Sequence, residues 1–225
     1  MVFLPGYMSD MAGSKAQAVF KWATSQGRAC LLLDYSGCGE SEGDFAEGTL
    51  SRWRDEVCEL IAVKCAKELG GPVVLIGSSM GGWLMLLVGL AMPGRIAGLV
   101  GIAAAPDFTA WGFSDEQQAE LLASETVLEA NAYGPQPTPT YPGFWRDGQA
   151  NLLLGGAIAL TCPVRLLHGQ QDPDVPWETT LRLAQALRSA DVQVCLVKDG
   201  DHRLSRPGDI ALLLQTLAAL PEVSE

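Results

Sequence analysis

Short runs of branched apolar residues alternate along this chain with longer stretches of helical spacing. The apolar runs, each bounded by Gly, Pro or Asp, predict six strands at Val2–Leu4, Ala29–Asp34, Val73–Gly77, Ile96–Ala104, Val164–Leu167 and Val192–Val197. The stretches between them predict helices at Ser14–Ser25, Ser51–Leu69, Ser79–Ala91, Glu178–Ser189 and Pro207–Leu220. Parallel strands need crossovers long enough to hold a helix. We therefore predict an α/β fold with a mostly parallel, twisted sheet of about six strands and helices on both faces.

One segment, about Asp107 to Cys162, interrupts this alternation. It contains a helical patch at Asp115–Asn131 and then the proline-rich run GPQPTPTYP, and it has no obvious strand. An insertion of this length between two strands is typical of a lid over a site, with a decorative excursion as the alternative. Its aromatic residues either line an apolar pocket or anchor the excursion; they are Trp111, Phe113, Tyr141, Phe144 and Trp145. We predict one domain over residues 1–225, with a lid at about 107–162.

Composition excludes several classes of protein. The 225 residues include 15 Lys and Arg against 26 Asp and Glu, and the resulting charge of -11 disfavours nucleic acid and anionic lipid surfaces as partners. The longest apolar run, Trp83 to Met92, is about half of a membrane span, and the start lacks the features of a signal peptide. We expect no nucleic acid partner and no membrane span.

Cysteine and histidine usage argues against disulfides and metals. The six cysteines form no C-x-x-C pair, which is typical of buried thiols in a reducing compartment. The chain has two histidines and no Cys/His cluster at zinc spacing. We expect chemistry without a metal or other cofactor.

A nucleophile is predicted where the strand VVLIG runs into Gly77-Ser78-Ser79-Met80-Gly81 and then into the apolar helix WLMLLVGLA. This order of strand, sharp turn and helix is the context that a G-x-S-x-G elbow requires. The two glycines allow the close approach of strand and helix, and the central serine, Ser79, is held out over the sheet edge. A plain turn of small residues is the alternative.

A serine needs a base, and the chain offers two histidines. His168 ends the fifth strand, beside the following loop, and is interpreted as a packed polar residue. His202 lies in the loop between the last strand and the last helix, where an imidazole can reach over the carboxyl ends of the strands. We predict His202 as the catalytic base.

The acid that orients this base is expected after the nucleophile and before the histidine in the chain. Asp172 and Asp174 both qualify, because both lie in the loop after the fifth strand. We assign the role to Asp172. Asp174, and Asp201 beside the histidine, are interpreted as residues that form turns or cap helices.

Two amides are expected to bind the oxyanion that forms when a serine attacks a carbonyl group. The first is the N–H of Met80, directly after the nucleophile. The second is expected in the loop Leu4–Met8, where Gly6 allows a close approach. We assign it to Tyr7, with Met8 as the alternative.

With these residues in place, the chain resembles the alpha/beta-hydrolase superfamily over nearly its whole length. Besides the elbow it carries a D-x-x-G-x-G-x-S turn at Asp34–Ser41 and a G-x-x-D-x-x-V-P acid loop at Gly169–Pro176. More narrowly, LPGYMSDM, DYSGCGES, GSSMGGWLM, RLLHGQQDPDVPW and DGDHR are similar to the family of the mitochondrial acyl-protein thioesterase, or mycophenolic acid acyl-glucuronide esterase, and its bacterial relatives. Residue by residue, that family's triad falls on Ser79, Asp172 and His202.

The resemblance implies hydrolysis of acyl thioesters or acyl glucuronides, with a small molecule or an acylated protein as substrate. A bacterial member is expected in the cytoplasm and a eukaryotic one in mitochondria. A broad short-chain carboxylesterase, a serine peptidase and a non-catalytic binding module on the same fold are the alternatives. A haloalkane dehalogenase is disfavoured, because its elbow would carry an aspartate where this chain has Ser79.

The chain departs from the family pattern at its front, since it starts inside the first parallel strand and lacks the usual antiparallel hairpin. A bacterial origin or missing preceding residues is expected. Without the hairpin, the edge strand at Ala29–Asp34 is exposed and available for pairing. We therefore expect a monomer or a homodimer, or reduced stability.

Overall fold

A six-stranded parallel sheet forms the centre of the computed structural model, which describes residues 1–65, 71–131 and 134–220. Its strands are β1 (Val2–Leu4), β2 (Leu31–Leu32), β3 (Val73–Ser78), β4 (Ile96–Ile102), β7 (Val164–Gly169) and β8 (Val192–Val197). They lie in the order β2-β1-β3-β4-β7-β8, and every pairing among them is parallel. The predicted α/β class and strand number are confirmed.

Helices cover both faces of this sheet, as predicted. The helices that pack on it are α1 (Ser14–Ser25), α2 (Leu50–Leu60), α3 (Met80–Ala91), α7 (Glu178–Ala186) and α8 (Pro207–Ala218). Side chains of α2, α3 and α7 share one core cluster with Leu75 and Leu99, whereas α1 and α8 share a second cluster with Ile76 and Val100. Neighbouring residues of one strand point to opposite faces, so both faces are apolar.

The second strand is shorter than predicted. The sequence predicts Ala29–Asp34, but only Leu31 and Leu32 pair, and they pair with β1 alone. Just beyond them, the Asp34 carboxylate accepts backbone N–H groups from two loops, at Met11 (2.7 Å) and Glu40 (3.1 Å). These hydrogen bonds hold Asp34 in the loop after the strand, outside the hydrogen-bonding pattern of the sheet, so the strand ends before it.

Two predicted helices end early. In place of one helix over Ser51–Leu69, α2 ends at Leu60 and a π-helical turn follows at Ile61–Cys65; residues 66–69 lie outside the described part. The helix predicted to reach Ser189 ends at Ala186. There the Ala186 carbonyl accepts the Ile158 N–H (2.7 Å), and Ile158 forms a parallel bridge with Leu187. A contact with the distant insertion therefore replaces the last helical turn.

The insertion differs most from the prediction. It holds α4 (Phe108–Trp111), α5 (Asp115–Leu122), β5 (Val127–Glu129), β6 (Thr138–Thr140) and α6 (Pro142–Ala150). The helix predicted over Asp115–Asn131 is wrong beyond Leu122, because Ser124 takes a positive φ of 69° and β5 then pairs antiparallel with β6. The expectation of no strand is wrong for the same reason. Three-residue strands are too short to show a period of two.

A buried carboxylate joins the two ends of the insertion. Asp107, directly before α4, accepts the N–H groups of Leu153 (2.8 Å) and Leu154 (2.7 Å). Its side chain is only slightly exposed, so the two hydrogen bonds are shielded from water. Asp107 therefore ties the start of the insertion to the segment that follows α6. No helix among the described residues is long and apolar enough to cross a membrane.

Candidate active site

Ser79 lies at the sharp turn between β3 and α3, in a conformation that side chains rarely adopt. Its φ is 55° and its ψ is -122°. Three backbone hydrogen bonds hold it there: its N–H donates to Ile102 (2.9 Å), and its carbonyl accepts from Gly82 (2.8 Å) and Ala105 (3.1 Å). The surrounding backbone thus imposes the strained turn and points the hydroxyl away from the sheet.

The glycines of the elbow are required by contact distances. A Cβ atom on Gly81 would lie 2.1 Å from the Leu4 carbonyl oxygen, and one on Gly77 would lie 2.3 Å from the Gly81 carbonyl oxygen. Both distances are far below van der Waals contact, and the obstructing atoms are backbone. The predicted reason for this glycine pattern, a close approach of strand and helix, therefore agrees with the geometry.

His202 stands over Ser79, although the two are 123 residues apart in the chain. Its Nε2 lies 3.1 Å from Ser79 Oγ, and its Nδ1 lies 2.8 Å from Asp172 Oδ2. A carboxylate only accepts, so Nδ1 carries the proton and Nε2 is left to accept the serine hydroxyl. The histidine is in the tautomer that a general base needs.

The side chain of Asp172 is fully buried, and its carboxylate accepts four hydrogen bonds. Its Oδ1 takes the N–H groups of Asp174 and Val175, both at 2.9 Å, and its Oδ2 faces the rings of His202 and His168. Burial by itself would raise the pKa of Asp172, but the bonds from His168 and His202 outweigh it and hold the pKa well below its usual range. The carboxylate is therefore ionised at neutral pH.

Ion pairs of Arg206 hold the loop that carries His202 at both of its ends. Arg206 donates to the Asp199 carboxylate (2.8 Å) before the histidine and to the Asp209 carboxylate (2.9 Å) in the first turn of α8. On the cavity side, Lys15 Nζ of α1 donates to the Arg203 carbonyl. These contacts restrict the loop and thus the position of the imidazole.

The remaining acidic and histidine candidates lie close to this group. His168, at the end of β7, lies beside the acid loop and away from the serine, as predicted, but its Nε2 is 3.0 Å from Asp172 Oδ2. Asp201 accepts the Leu204 N–H (2.9 Å), the turn-forming role predicted for it. The structure thus brings Ser79, His202 and Asp172 together, and it places Asp174 outside that chain of contacts, with its backbone N–H supporting Asp172.

Met80 and the loop that carries Tyr7, the two elements predicted to bind an oxyanion, both lie beside Ser79. Met80 is the first residue of α3, and the N–H groups of a first helical turn have no carbonyl partner within the helix. A Cβ on Gly6 would lie 3.3 Å from Ser79 Cβ, so the loop after β1 passes directly by the nucleophile. Beyond it, the Tyr7 hydroxyl donates to the Pro139 carbonyl of the insertion (2.9 Å), and burial raises the pKa of Tyr7 far above its usual range. No local sequence pattern predicts this hydrogen bond between the loop and the insertion.

A cavity of about 620 Å³ opens over Ser79 and His202. The insertion lines it with the aromatic residues Phe108, Trp111 and Phe113, and also with polar residues, Glu129 and Thr140 among them. Its other aromatic residues anchor it, because Phe144 and Trp145 are buried in the core clusters. Both alternatives for the aromatic residues therefore apply, and Phe113 serves both, since it lines the cavity and also packs with Trp145.

Lys15 is a cavity residue that the sequence analysis missed. It lines the same cavity as Ser79 and His202, and burial together with nearby Arg203 lowers its pKa to about 8. No carboxylate among the described residues lies within 4.0 Å of its amine. A lysine in the first turn of a helix carries no sequence signal that separates it from a solvent-exposed one.

Other nucleophiles and metal ligands are less suited to chemistry. Five cysteines described in the structure are free thiols, and burial raises the pKa of Cys38 to about 11. Oxygen and nitrogen atoms of Asp172, Asp174 and His202 lie within 4.8 Å of one another, close enough to hold a cation. A hydrogen bond already joins Asp172 Oδ2 to His202 Nδ1, so we assign no metal there.

Comparison with known proteins identifies the family. The model of the Alpha/beta hydrolase family matches residues 1–212. The chain belongs to the alpha/beta hydrolase family. It is 39% identical over 223 residues to the mouse protein named palmitoyl-protein thioesterase ABHD10, mitochondrial, covering 96% of this chain and 73% of that protein. The human protein of the same name is 37% identical over 227 residues, covering 96% and 71%.

Solved structures agree with this membership of the alpha/beta hydrolase family. A putative hydrolase from Agrobacterium vitis S4 superposes with a TM-score of 0.89 at 38% identity, covering 98% of this chain and 87% of that chain. Alpha/beta hydrolase domain-containing protein 10 from mouse gives a TM-score of 0.88 at 39% identity, covering 97% and 88%. The resemblance inferred from the motifs is confirmed at the level of family and fold.

Proposed function

We propose that this alpha/beta hydrolase cleaves acyl thioesters and esters through Ser79, His202 and Asp172, with a covalent acyl-enzyme intermediate. The observation that carries the proposal is the unbroken chain of contacts from Ser79 Oγ to His202 Nε2 (3.1 Å) and from His202 Nδ1 to Asp172 (2.8 Å). A serine activated in this way attacks carbonyl carbon.

The geometry supports a complete cycle. Ser79 Oγ bonds to the carbonyl carbon while its proton passes to His202 Nε2, and the N–H groups of Met80 and Tyr7 bind the oxyanion. When the carbonyl re-forms, the bond to the leaving thiol or alcohol breaks and His202 returns the proton to it. Water then gives a proton to His202 and attacks the acyl carbon, after which Ser79 Oγ leaves with that proton. Asp172 stays ionised and stabilises the imidazolium in both halves.

Long acyl chains are the proposed substrates, and residues 107–162 are proposed to act as the lid of a single domain. The aromatic residues Phe108, Trp111 and Phe113 line the cavity over Ser79 and offer apolar contacts to an acyl chain. A volume of about 620 Å³ is within the range of pockets that enclose a small-molecule ligand. The similarity to proteins named palmitoyl-protein thioesterases supports the same choice.

The test begins with a fluorophosphonate, which labels activated serines. We expect one adduct, located to Ser79 by fragmenting the peptide that also contains Ser78. Ser79→Ala should abolish the adduct and lower kcat by roughly 10³-fold or more, while the matched control Ser78→Ala keeps both. Turnover near that of the wild type in Ser79→Ala would disprove the proposal.

A pair of variants tests the role of Asp172 as the catalytic acid, and a pair of substrates tests the preference for long acyl chains. Asp172→Asn should lower kcat by roughly 10³- to 10⁴-fold, whereas Asp174→Asn, in the same loop, should change it only a few-fold. A palmitoyl thioester should have a higher kcat/KM than an acetyl thioester. Turnover of short esters alone would support a general carboxylesterase, and absence of any adduct would support a binding module.

A further inference from the structure

Asp172 is shared between two imidazoles, and the proposed mechanism uses only one of them. His168, the fifth residue of β7, has a fully buried side chain. Its Nε2 lies 3.0 Å from Asp172 Oδ2, the same oxygen that His202 Nδ1 contacts at 2.8 Å. The two rings thus approach one carboxylate oxygen from the sheet side and from the active-site side.

The partners of His168 define its protons. Nε2 faces two acceptors, Asp172 Oδ2 and the Val175 carbonyl (3.1 Å), so it carries hydrogen and donates to both. Nδ1 lies 2.6 Å from the hydroxyl of Thr180, a buried residue of α7. In the tautomer that carries its hydrogen on Nε2, Nδ1 accepts a hydrogen bond from the Thr180 hydroxyl. The result is a directed chain in which Thr180 donates to His168 and His168 donates to Asp172.

We propose that His168 is a positioning residue, which holds the Asp172 carboxylate in place and sets the basicity of His202 through it. This rests on the proposed function, since the effect reaches the reaction only through Asp172 and His202. Donation from His168 withdraws negative charge from Oδ2, the oxygen that attracts the His202 ring. Without that donation, the oxygen attracts a protonated His202 more strongly.

The acid limb of the pH profile of kcat/KM reports this effect, because it follows the base in the free enzyme. Other charged groups near His202 stay unchanged in the variants below, so they act as a constant background. These are Lys15 of α1 and Asp10 of the loop before it, Glu129 of β5, Asp174 of the acid loop, and Asp201 and Arg203 on either side of the histidine.

Four variants separate positioning from folding. His168→Met fills the volume without a donor, and His168→Gln keeps an N–H that can reach Asp172. Thr180→Val removes the hydroxyl that binds Nδ1, and Thr179→Val is its control, because Thr179 is a buried neighbour on the same helix. Rates are divided by the concentration of sites titrated with the fluorophosphonate, so misfolded protein does not count.

In His168→Met we expect the acid limb of the pH profile to move to higher pH by roughly half a unit or more. We also expect kcat to fall about tenfold, by analogy with the residues that orient metal-bound histidines. His168→Gln should restore most of both, Thr180→Val should shift the limb less in the same direction, and Thr179→Val should leave it unmoved. An unshifted limb with kcat within twofold in His168→Met would overturn the inference, as would a His168→Gln variant as impaired as His168→Met.

If His168→Met does not fold, the test rests on Thr180→Val. A pH profile of kcat/KM for Thr180→Val that is identical to that of Thr179→Val would then overturn the inference. Failure of the proposed function is distinguishable from failure of this inference. It would appear as wild-type protein without turnover that depends on Ser79. An active wild type with unshifted His168 variants would refute the positioning role alone.

Discussion

Replacing Ser79 by glycine should make the protein more stable while abolishing its chemistry. Ser79 is held at φ 55° and ψ -122° by backbone hydrogen bonds from three directions. A residue other than glycine in such a region costs about 1–3 kcal/mol. Ser79→Ala loses the hydroxyl but keeps that strain, whereas Ser79→Gly loses both. The difference in the free energy of unfolding between the two variants therefore measures the backbone strain at position 79.

The expected difference follows from two opposing contributions. Relief of strain stabilises Ser79→Gly by about 1–3 kcal/mol, and the greater freedom of glycine in the unfolded chain offsets about 0.5–1 kcal/mol. Ser79→Gly should thus exceed Ser79→Ala by about 1 kcal/mol, or about 2–4 °C in Tm for a chain of this size. Both variants should be inactive to the same degree.

Urea unfolding monitored by tryptophan fluorescence measures this difference. The neighbouring Ser78 serves as a control of opposite sign, because it is the last residue of β3 and has an extended backbone. There the glycine variant should be less stable than the alanine variant by about 0.5–1 kcal/mol. A Ser79→Gly variant no more stable than Ser79→Ala would refute the claim that the elbow stores strain.

Three further substitutions test the packing. Gly81→Ala should destabilise the fold by about 3 kcal/mol or more, because its Cβ would lie 2.1 Å from a backbone oxygen. Gly143→Ala is the control and should not destabilise the fold, because the space around Gly143 is open. The Tm of each variant measures the effect. Asp107→Asn should cost about 2–3 kcal/mol in urea unfolding, since its amide group meets a backbone N–H donor. Lys15→Met should stabilise the protein by about 2 kcal/mol below pH 8, because the folded state lowers the lysine pKa from 10.5 to about 8. That gain should shrink between pH 8 and pH 10.5, and a gain independent of pH would contradict the assignment.

Local patterns predicted most of the central fold. Runs such as VVLIG and IAGLVGI are apolar on both faces, and this pattern is typical of strands buried between two helical layers. The insertion was predicted less well. Its hairpin depends on Val127 pairing with Thr140, thirteen positions away and across a proline-rich turn, so neither strand shows its partner in its own sequence.

The amino-acid sequence by itself determined the order of strands and helices along the chain. It also determined the elbow with Ser79 and the loops that carry Asp172 and His202. These features depend on local physics, namely apolar periodicity and glycine where backbones approach closely. Only the tertiary structure decided which groups touch. Ser79 and His202 are separated by 123 residues and His202 and Asp172 by 30, and their contact distances are set by how the strands align. The second imidazole on Asp172 and the contact of Lys15 with the His202 loop were likewise decided by the tertiary structure, because both arise from packing between distant segments.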